Sequence, residues 1–152
     1  MADIVDSVTR SRMMAGIRGK NTKPEVALRN GLHRLGLRYR LHCSNLPGKP
    51  DLVFPKHRVA LFVHGCFWHR HVGCRLASTP AKNFDFWREK FARNVERDQD
   101  QIAKLQTAGW RVLIVWECCL RQKQLANLFE TISTEIREGS ADFKEWPSLT
   151  AT

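Results

Sequence analysis

DLVFPKHRVALFVH, residues Asp51 to His64, decides the fold class, because it reads as two strands joined by a turn. Asp51-Leu52-Val53-Phe54 is a short extended run, Pro55-Lys56-His57 breaks it, and Val59-Ala60-Leu61-Phe62-Val63 resumes it. The second run carries no polar side chain, so it is buried on both faces and belongs in the middle of a sheet.

Upstream, Leu46-Pro47-Gly48-Lys49-Pro50 is a turn, and before it Leu37, Tyr39 and Leu41 alternate with Arg38, Arg40 and His42. That alternation predicts a half-buried strand with one basic face. Thr22-Lys23-Pro24-Glu25 fits a capping box, with Thr22 as N-cap and Glu25 at N3. The helix it opens buries Val26, Leu28, Leu32 and Leu35 and stops at Gly36.

Downstream, residues 64–82 are irregular, and a long helix follows from Asn83 to Ala108, with Phe84, Trp87, Phe91, Val95, Ile102 and Leu105 on its apolar face. Gly109 ends it, and Arg111 to Trp116 is another buried strand. A last helix spans about Gln122 to Arg137, with Leu125, Leu128, Phe129, Ile132 and Ile136 as its core stripe. The order α-β-β-β-α-β-α predicts an α/β domain, a mixed sheet flanked by helices. At 152 residues the chain has room for one such domain. The expected layout is a basic arm over residues 1–21, a single domain over 22–140 and a loose tail over 141–152.

The net charge is +10, and the last 23 residues hold five acidic and two basic groups, so the excess lies in the first 129. A balance this basic points to a polyanionic partner, nucleic acid first among them. No apolar stretch is long enough to span a membrane, and MADIVDSVTRSRMM lacks the apolar centre of a secretory signal. A reducing cytosol is the expected compartment, where the five cysteines serve as metal ligands or core residues rather than disulfides.

HGCFWHRHVGC, residues 64–74, concentrates the chemistry. Cys66, His71 and Cys74 offer three ligands of the right softness for zinc in a loop without a ladder to hold it. A fourth is available from Cys118 or Cys119, adjacent residues of which only one easily faces the loop. The competing reading is two buried thiols and a surface histidine. Asp51, at a strand start, suits a hard cation, or is simply a turn residue after Pro50. His69 is left over from the zinc set and is a candidate general base. Asp98 falls on the apolar face of the long helix with Trp87, Phe91, Asn94, Ile102 and Leu105, so it needs a buried partner, either a histidine such as His69 or a core arginine. Phe67 and Trp68, neighbours in a loop that cannot both easily turn inward, are candidates to stack on bases, with Trp87 near them.

LPGKPDLVF, FVHGCFWHRH, FWREKFARNVERD and GWRVLIVWEC, in this order, together with TRSRMMAGIRGKNTKPE near the N-terminus, resemble the very-short-patch mismatch repair endonucleases over residues 7–121. The resemblance implies a restriction-endonuclease-like α/β/α core with a structural zinc site. It implies an Mg²⁺-dependent enzyme that nicks double-stranded DNA beside the T of a T:G mismatch left by deaminated 5-methylcytosine. Asp51 and the backbone carbonyl of Val63 are then the Mg²⁺ ligands, and His64 supports the scissile phosphate. His69 becomes the general base, Asp98 its orienting carboxylate, and Glu25 an acidic neighbour. Cys66, His71, Cys74 and Cys118 hold Zn²⁺, and Phe67, Trp68 and Trp87 wedge into the duplex. Arg10, Arg12, Met14, Ile17, Arg18 and Lys20 belong to an arm that reaches round the DNA. A monomer in the bacterial cytoplasm, at the nucleoid, with other repair proteins as partners, completes the expectation.

Two positions depart from the family. Val63 stands where the best-known member has a hydroxyl residue, which removes a side-chain role and leaves the carbonyl. The segment His71-Val72-Gly73-Cys74 is one residue longer than in some relatives, and Gly73 suits the turn this requires. The strand position where this fold usually carries a lysine reads Phe62-Val63-His64, so His69 held by Asp98 is the expected substitute. A nuclease of the same fold with another target, and a zinc-stabilised DNA-binding protein without catalysis, are the competing functions.

Overall fold

The computed structural model describes residues 22–148. Its elements are α1 (Lys23–Arg34), β1 (Arg40–Leu41), β2 (Leu52–Phe54), a 3-10 turn (Pro55–His57), β3 (Val59–His64), α2 (Phe84–Thr107), β4 (Arg111–Trp116), α3 (Glu117–Leu120), α4 (Ala126–Glu138) and β5 (Phe143–Trp146). They form one mixed sheet in the order β1-β2-β3-β4-β5. β1, β2 and β3 are antiparallel, whereas β4 and β5 run parallel to β3. β3 is the middle strand, as its unbroken apolar run predicts, and pairs Leu52 with Leu61 and Phe62 with Ile114.

Alternation along β3 and β4 sorts side chains to two faces. Val59, Leu61, Leu113 and Val115 pack with Leu28 and Leu32 of α1, Leu120 of α3, and Ile132 and Ile136 of α4. Ala60, Phe62, Val112, Ile114 and Trp116 pack with Leu105 of α2 and with Cys66. The result is three layers, with α2 alone on the face where the loop after β3 emerges. Gly31 lets α1 sit flush on α4, since a Cβ there would come 2.3 Å from the Phe129 ring.

Several expectations shift. The strand expected from Leu37 shrinks to Arg40–Leu41. The Leu37 N–H is taken by the Leu32 carbonyl at the end of α1 and the Tyr39 hydroxyl by the Arg29 carbonyl, so this stretch caps the helix instead of joining the ladder. α4 begins at Ala126 rather than Gln122, and the short helix α3 intervenes directly after β4. Phe84, expected on the apolar face of α2, is exposed.

The larger correction is at the C-terminal end. Residues from 141 were expected to be loose, yet Phe143–Trp146 is the fifth strand, parallel to β4. Arg111 fastens it. Its guanidinium donates to the carbonyls of Ala141, Ile136 and Glu135 and to the Glu135 carboxylate at 2.8 Å. The domain body therefore runs through Trp146. Residues 1–21, which include the whole expected arm with Arg10, Arg12, Met14, Ile17, Arg18 and Lys20, lie outside the described residues, as do 149–152.

Candidate active site

A cleft opens at the C-terminal end of β3, between the start of α1, the β1–β2 connection and the middle of α2. Asp51 immediately precedes β2 and His64 ends β3, so the antiparallel pairing brings them to the same edge of the sheet. The Asp51 carboxylate accepts the Val63 N–H at 2.7 Å. Burial is the main reason its carboxyl is pushed up from the ordinary 3.8 to about 6; the Val63 hydrogen bond opposes the rise, and the Glu25 charge adds to it. A carboxylate held dry at this cost is poised to gain from a cation.

Glu25 is almost fully buried. The Thr22 hydroxyl accepts its N–H at 3.4 Å, which is half of a capping box. Its side chain does not close the other half. Instead its Oε2 lies 2.6 Å from His42 Nε2 and 3.2 Å from Arg29. His42 was read only as part of a basic strand face. It was missed because the bend that turns it inward, at φ 48°, leaves no mark in the alternation. Glu25, His42 and Asp51 each present one donor atom within 4.8 Å of the others, a set that fits a divalent cation.

His69 Nδ1 is 2.6 Å from Asp98 Oδ2, so of the two partners open to Asp98, the histidine is the one it takes. With Nδ1 donating to the carboxylate, Nε2 carries the free lone pair. The His69 ring stacks on His64 at 3.8 Å between centroids, 6° from parallel. His64 is buried, and burial, followed by the charge of His69, holds it well below the ordinary 6.5. It is a neutral ring there, able to donate one N–H. Two lysines reach this cleft from elements other than β3, whose own end carries none, as expected. Lys23 comes from the start of α1 and Lys49 from the loop before β2.

α2 docks onto the loop residue by residue along the face the helical stepping defined. Trp87 and Phe91 contact the ring of Phe67, Asn94 donates to the Trp68 carbonyl at 3.2 Å, and Asp98 holds His69. Trp68 turns inward while Phe67 stays half-buried, so the two do not share one fate. Trp68 is buried, and the rings of Phe67, Trp68, Trp87 and Phe91 contact one another edge-on or tilted, Trp87 stacking on Phe91. A turn with Arg70 at φ 56° makes this packing affordable. Arg70 then donates to the carbonyls of Phe67, Ala77 and Ser78 and to the Thr79 hydroxyl, with its guanidinium 3.9 Å above Phe91.

Cys66, His71, Cys74 and Cys118 converge, their four donor atoms within 4.8 Å of one another. His71 Nδ1 lies 3.6 Å from Cys66 Sγ and 3.5 Å from Cys118 Sγ. A tetrahedral zinc with ordinary Zn–S and Zn–N bonds separates sulfur from nitrogen by about 3.6 Å, so the donor set fits zinc. Burial pushes the Cys66 thiol up to about 12 and raises Cys118. Cys118 and not Cys119 joins the set, although both lie on the helix α3 rather than on a strand; Cys119 packs into the core on the opposite face. His71 stacks on Trp116 at 4.3 Å, and Trp116 donates to Glu145 of β5 at 2.9 Å, a buttress the sequence pattern did not reveal. Gly73, at φ +73°, supplies the expected turn.

The sequence is also similar to known proteins. The profile of the family "DNA mismatch endonuclease Vsr" matches residues 2–75. The type II nicking enzyme V.XorIIP of Xanthomonas oryzae pv. oryzae is 49% identical over 118 residues, covering 78% of this chain and 86% of its own. The DNA mismatch endonuclease Vsr of Escherichia coli is 48% identical over 124 residues, 82% of this chain and 79% of its own. The type II nicking enzyme V.NmeAIP of Neisseria meningitidis is 41% identical over 138 residues, 91% and 96% of the two chains. A cleft of carboxylates and histidines on this scaffold, with such relatives, defines a DNA-nicking endonuclease. Within that class, the chain belongs to the Vsr family of DNA mismatch endonucleases.

Proposed function

We propose that this endonuclease nicks one strand beside the T of T:G mismatches left by 5-methylcytosine deamination, with Mg²⁺ as cofactor and zinc as a structural ion. The observation that carries the reading is the His69–Asp98 pair at 2.6 Å, one ring-stack away from His64 and facing the cleft of Asp51. Asp98 fixes Nδ1–H, so Nε2 takes the proton from the attacking water. Neutral His64 donates its N–H to the scissile phosphate. Asp51, with the Val63 carbonyl beside it, holds Mg²⁺, with Glu25 as acidic neighbour. When bound, the ion stabilises charge on the phosphate and the leaving oxygen. Lys23, Lys49 and Arg97 line the cleft and match the phosphate backbone. Phe67, Trp68 and Trp87 are the wedge. Because they are packed together in the DNA-free chain, they would open toward the base stack on binding, and weakly stacked mismatch steps are the cheapest to enter. The basic arm over residues 1–21 would complete the grip, and a bacterial cytoplasm with DNA as partner follows from the same reading. The three-layer sandwich supports the restriction-endonuclease-like core.

The test is nick mapping on duplexes that differ only in one pair, T:G, T:A or C:G, at fixed salt with Mg²⁺. One strand of the T:G duplex is cut, and His69→Ala binds that duplex but leaves it intact. Equal cutting of T:A DNA, or wild-type turnover by His69→Ala, overturns the reading.

A further inference from the structure

His42 sits where β1 ends. Its N–H donates to the Asp51 carbonyl at 3.1 Å, which ties its backbone to that of the metal-binding aspartate. The left-handed φ of 48° swings its ring across the cleft to Glu25 at 2.6 Å, and both side chains are largely buried. One ring nitrogen of His42 and one oxygen each of Glu25 and Asp51 lie within 4.8 Å of one another. Ligands at neighbouring positions around an octahedral ion of this size stand about 3 Å apart, so rotamer-scale shifts of three side chains close the set.

We propose that His42 is a metal ligand, adding a nitrogen donor to the Asp51 and Glu25 oxygens, so that the site favours Mn²⁺ over Mg²⁺. The inference rests on the reading that Asp51 holds the catalytic cation. The chemistry follows from donor type. Carboxylate, carbonyl and water ligands suit Mg²⁺ and Mn²⁺ alike, and imidazole suits first-row transition ions. Mn²⁺ is the first-row ion that shares the oxygen preference, so an added nitrogen tells between the two. Arg29 contacts the same Glu25 oxygen as His42, so the carboxylate stays oriented when the ring turns to an ion.

The experiment uses the full zinc-loaded chain without DNA. Electron spin-echo spectra of bound Mn²⁺ report a directly coordinated nitrogen. That coupling is expected in the wild type and in His69→Ala, and is lost in His42→Asn, where asparagine tolerates the positive φ. By calorimetry, His42→Asn weakens Mn²⁺ about tenfold or more and Mg²⁺ much less. Absence of nitrogen coupling in the wild-type chain, which needs no variant, overturns the inference, as does its persistence in His42→Asn. Loss of Mn²⁺ in Asp51→Asn with no change in His42→Asn leaves the catalytic-cation reading standing and removes only His42. Unchanged Mn²⁺ binding by Asp51→Asn removes both.

Discussion

Asp51→Asn should make the magnesium-free protein more stable while it removes the proposed Mg²⁺ ligand. The folded Asp51 carboxyl titrates at about 6 against an ordinary 3.8, chiefly because it is buried. Below pH 3.8 both states are protonated and burial of a neutral acid is tolerated. Between 3.8 and 6 the folded state holds a proton that the unfolded chain has released, so stability falls as the pH rises through this window. Above 6 the loss is complete, about 3 kcal/mol for a shift of this size. Asparagine keeps an oxygen for the Val63 N–H and carries no charge. For a chain of this length about 3 kcal/mol corresponds to a rise in Tm of roughly 6–12 °C. Thermal unfolding of wild type and variant, compared with each other at pH 3.5 and again at pH 7.5 without added Mg²⁺, measures it. The gain should be present at pH 7.5 and close to absent at pH 3.5. Added Mg²⁺ should then raise the wild type and leave the variant where it is. A variant no more stable at pH 7.5, or a gain that is the same at both pH values, would refute the account of Asp51 as a carboxylate held dry.

Cys74→Ser should lower zinc content and Tm together, because the loop has no strand or helix of its own; one full zinc equivalent by atomic absorption would contradict the assignment. Zinc uptake by the metal-free chain should also release protons, since Cys66 and Cys118 are held protonated by burial; calorimetry in buffers of different ionisation enthalpy reads it. Arg70→Ala strips four acceptors of their donor and should speed proteolytic cutting within residues 75–82, with Tm lower by a few degrees, about 1–2 kcal/mol. Unchanged cutting would mean that Arg70 does not hold this segment.

What the sequence made legible was periodic or chemically concentrated. The unbroken run of β3 located the centre of the sheet, and the three-four stepping along α2 placed Asp98 beside Asn94 and Phe91, on the face that meets the loop. The Cys-His spacing gathered three of the four members of the Cys/His cluster, while the resemblance chose Cys118. What escaped was carried by single backbone turns and by edge elements. β5 alternates only weakly, with Lys144 and Glu145 between two aromatic residues, and is held by Arg111 from a distance in sequence that no local pattern encodes. His42 enters the cleft through one left-handed residue. The packing of half-buried Phe67 and buried Trp68 against α2 goes with the bend at Arg70, which the pair itself does not encode.

That bend also explains how so short a loop serves three chemistries. From Cys66 to His71 the residues alternate in destination: zinc, aromatic cluster, aromatic cluster, Asp98, Arg70's own clamp, zinc. A strand would send alternate residues to opposite faces, and a helix would repeat every third or fourth, so neither could distribute six consecutive side chains this way. An irregular backbone can, but its polar groups must then find partners without a regular ladder. Asn94 takes the Trp68 carbonyl, Arg70 takes that of Phe67, and the His69 and His71 N–H groups return to the carbonyls of Gly65 and Cys66. The Cys/His cluster that reaches both ends of this stretch fixes its length, and α2 fixes its height above the sheet. His69 is therefore positioned by the Cys/His cluster two residues away as well as by Asp98, and a change in the proposed zinc ligands should displace the proposed base before it unfolds the domain.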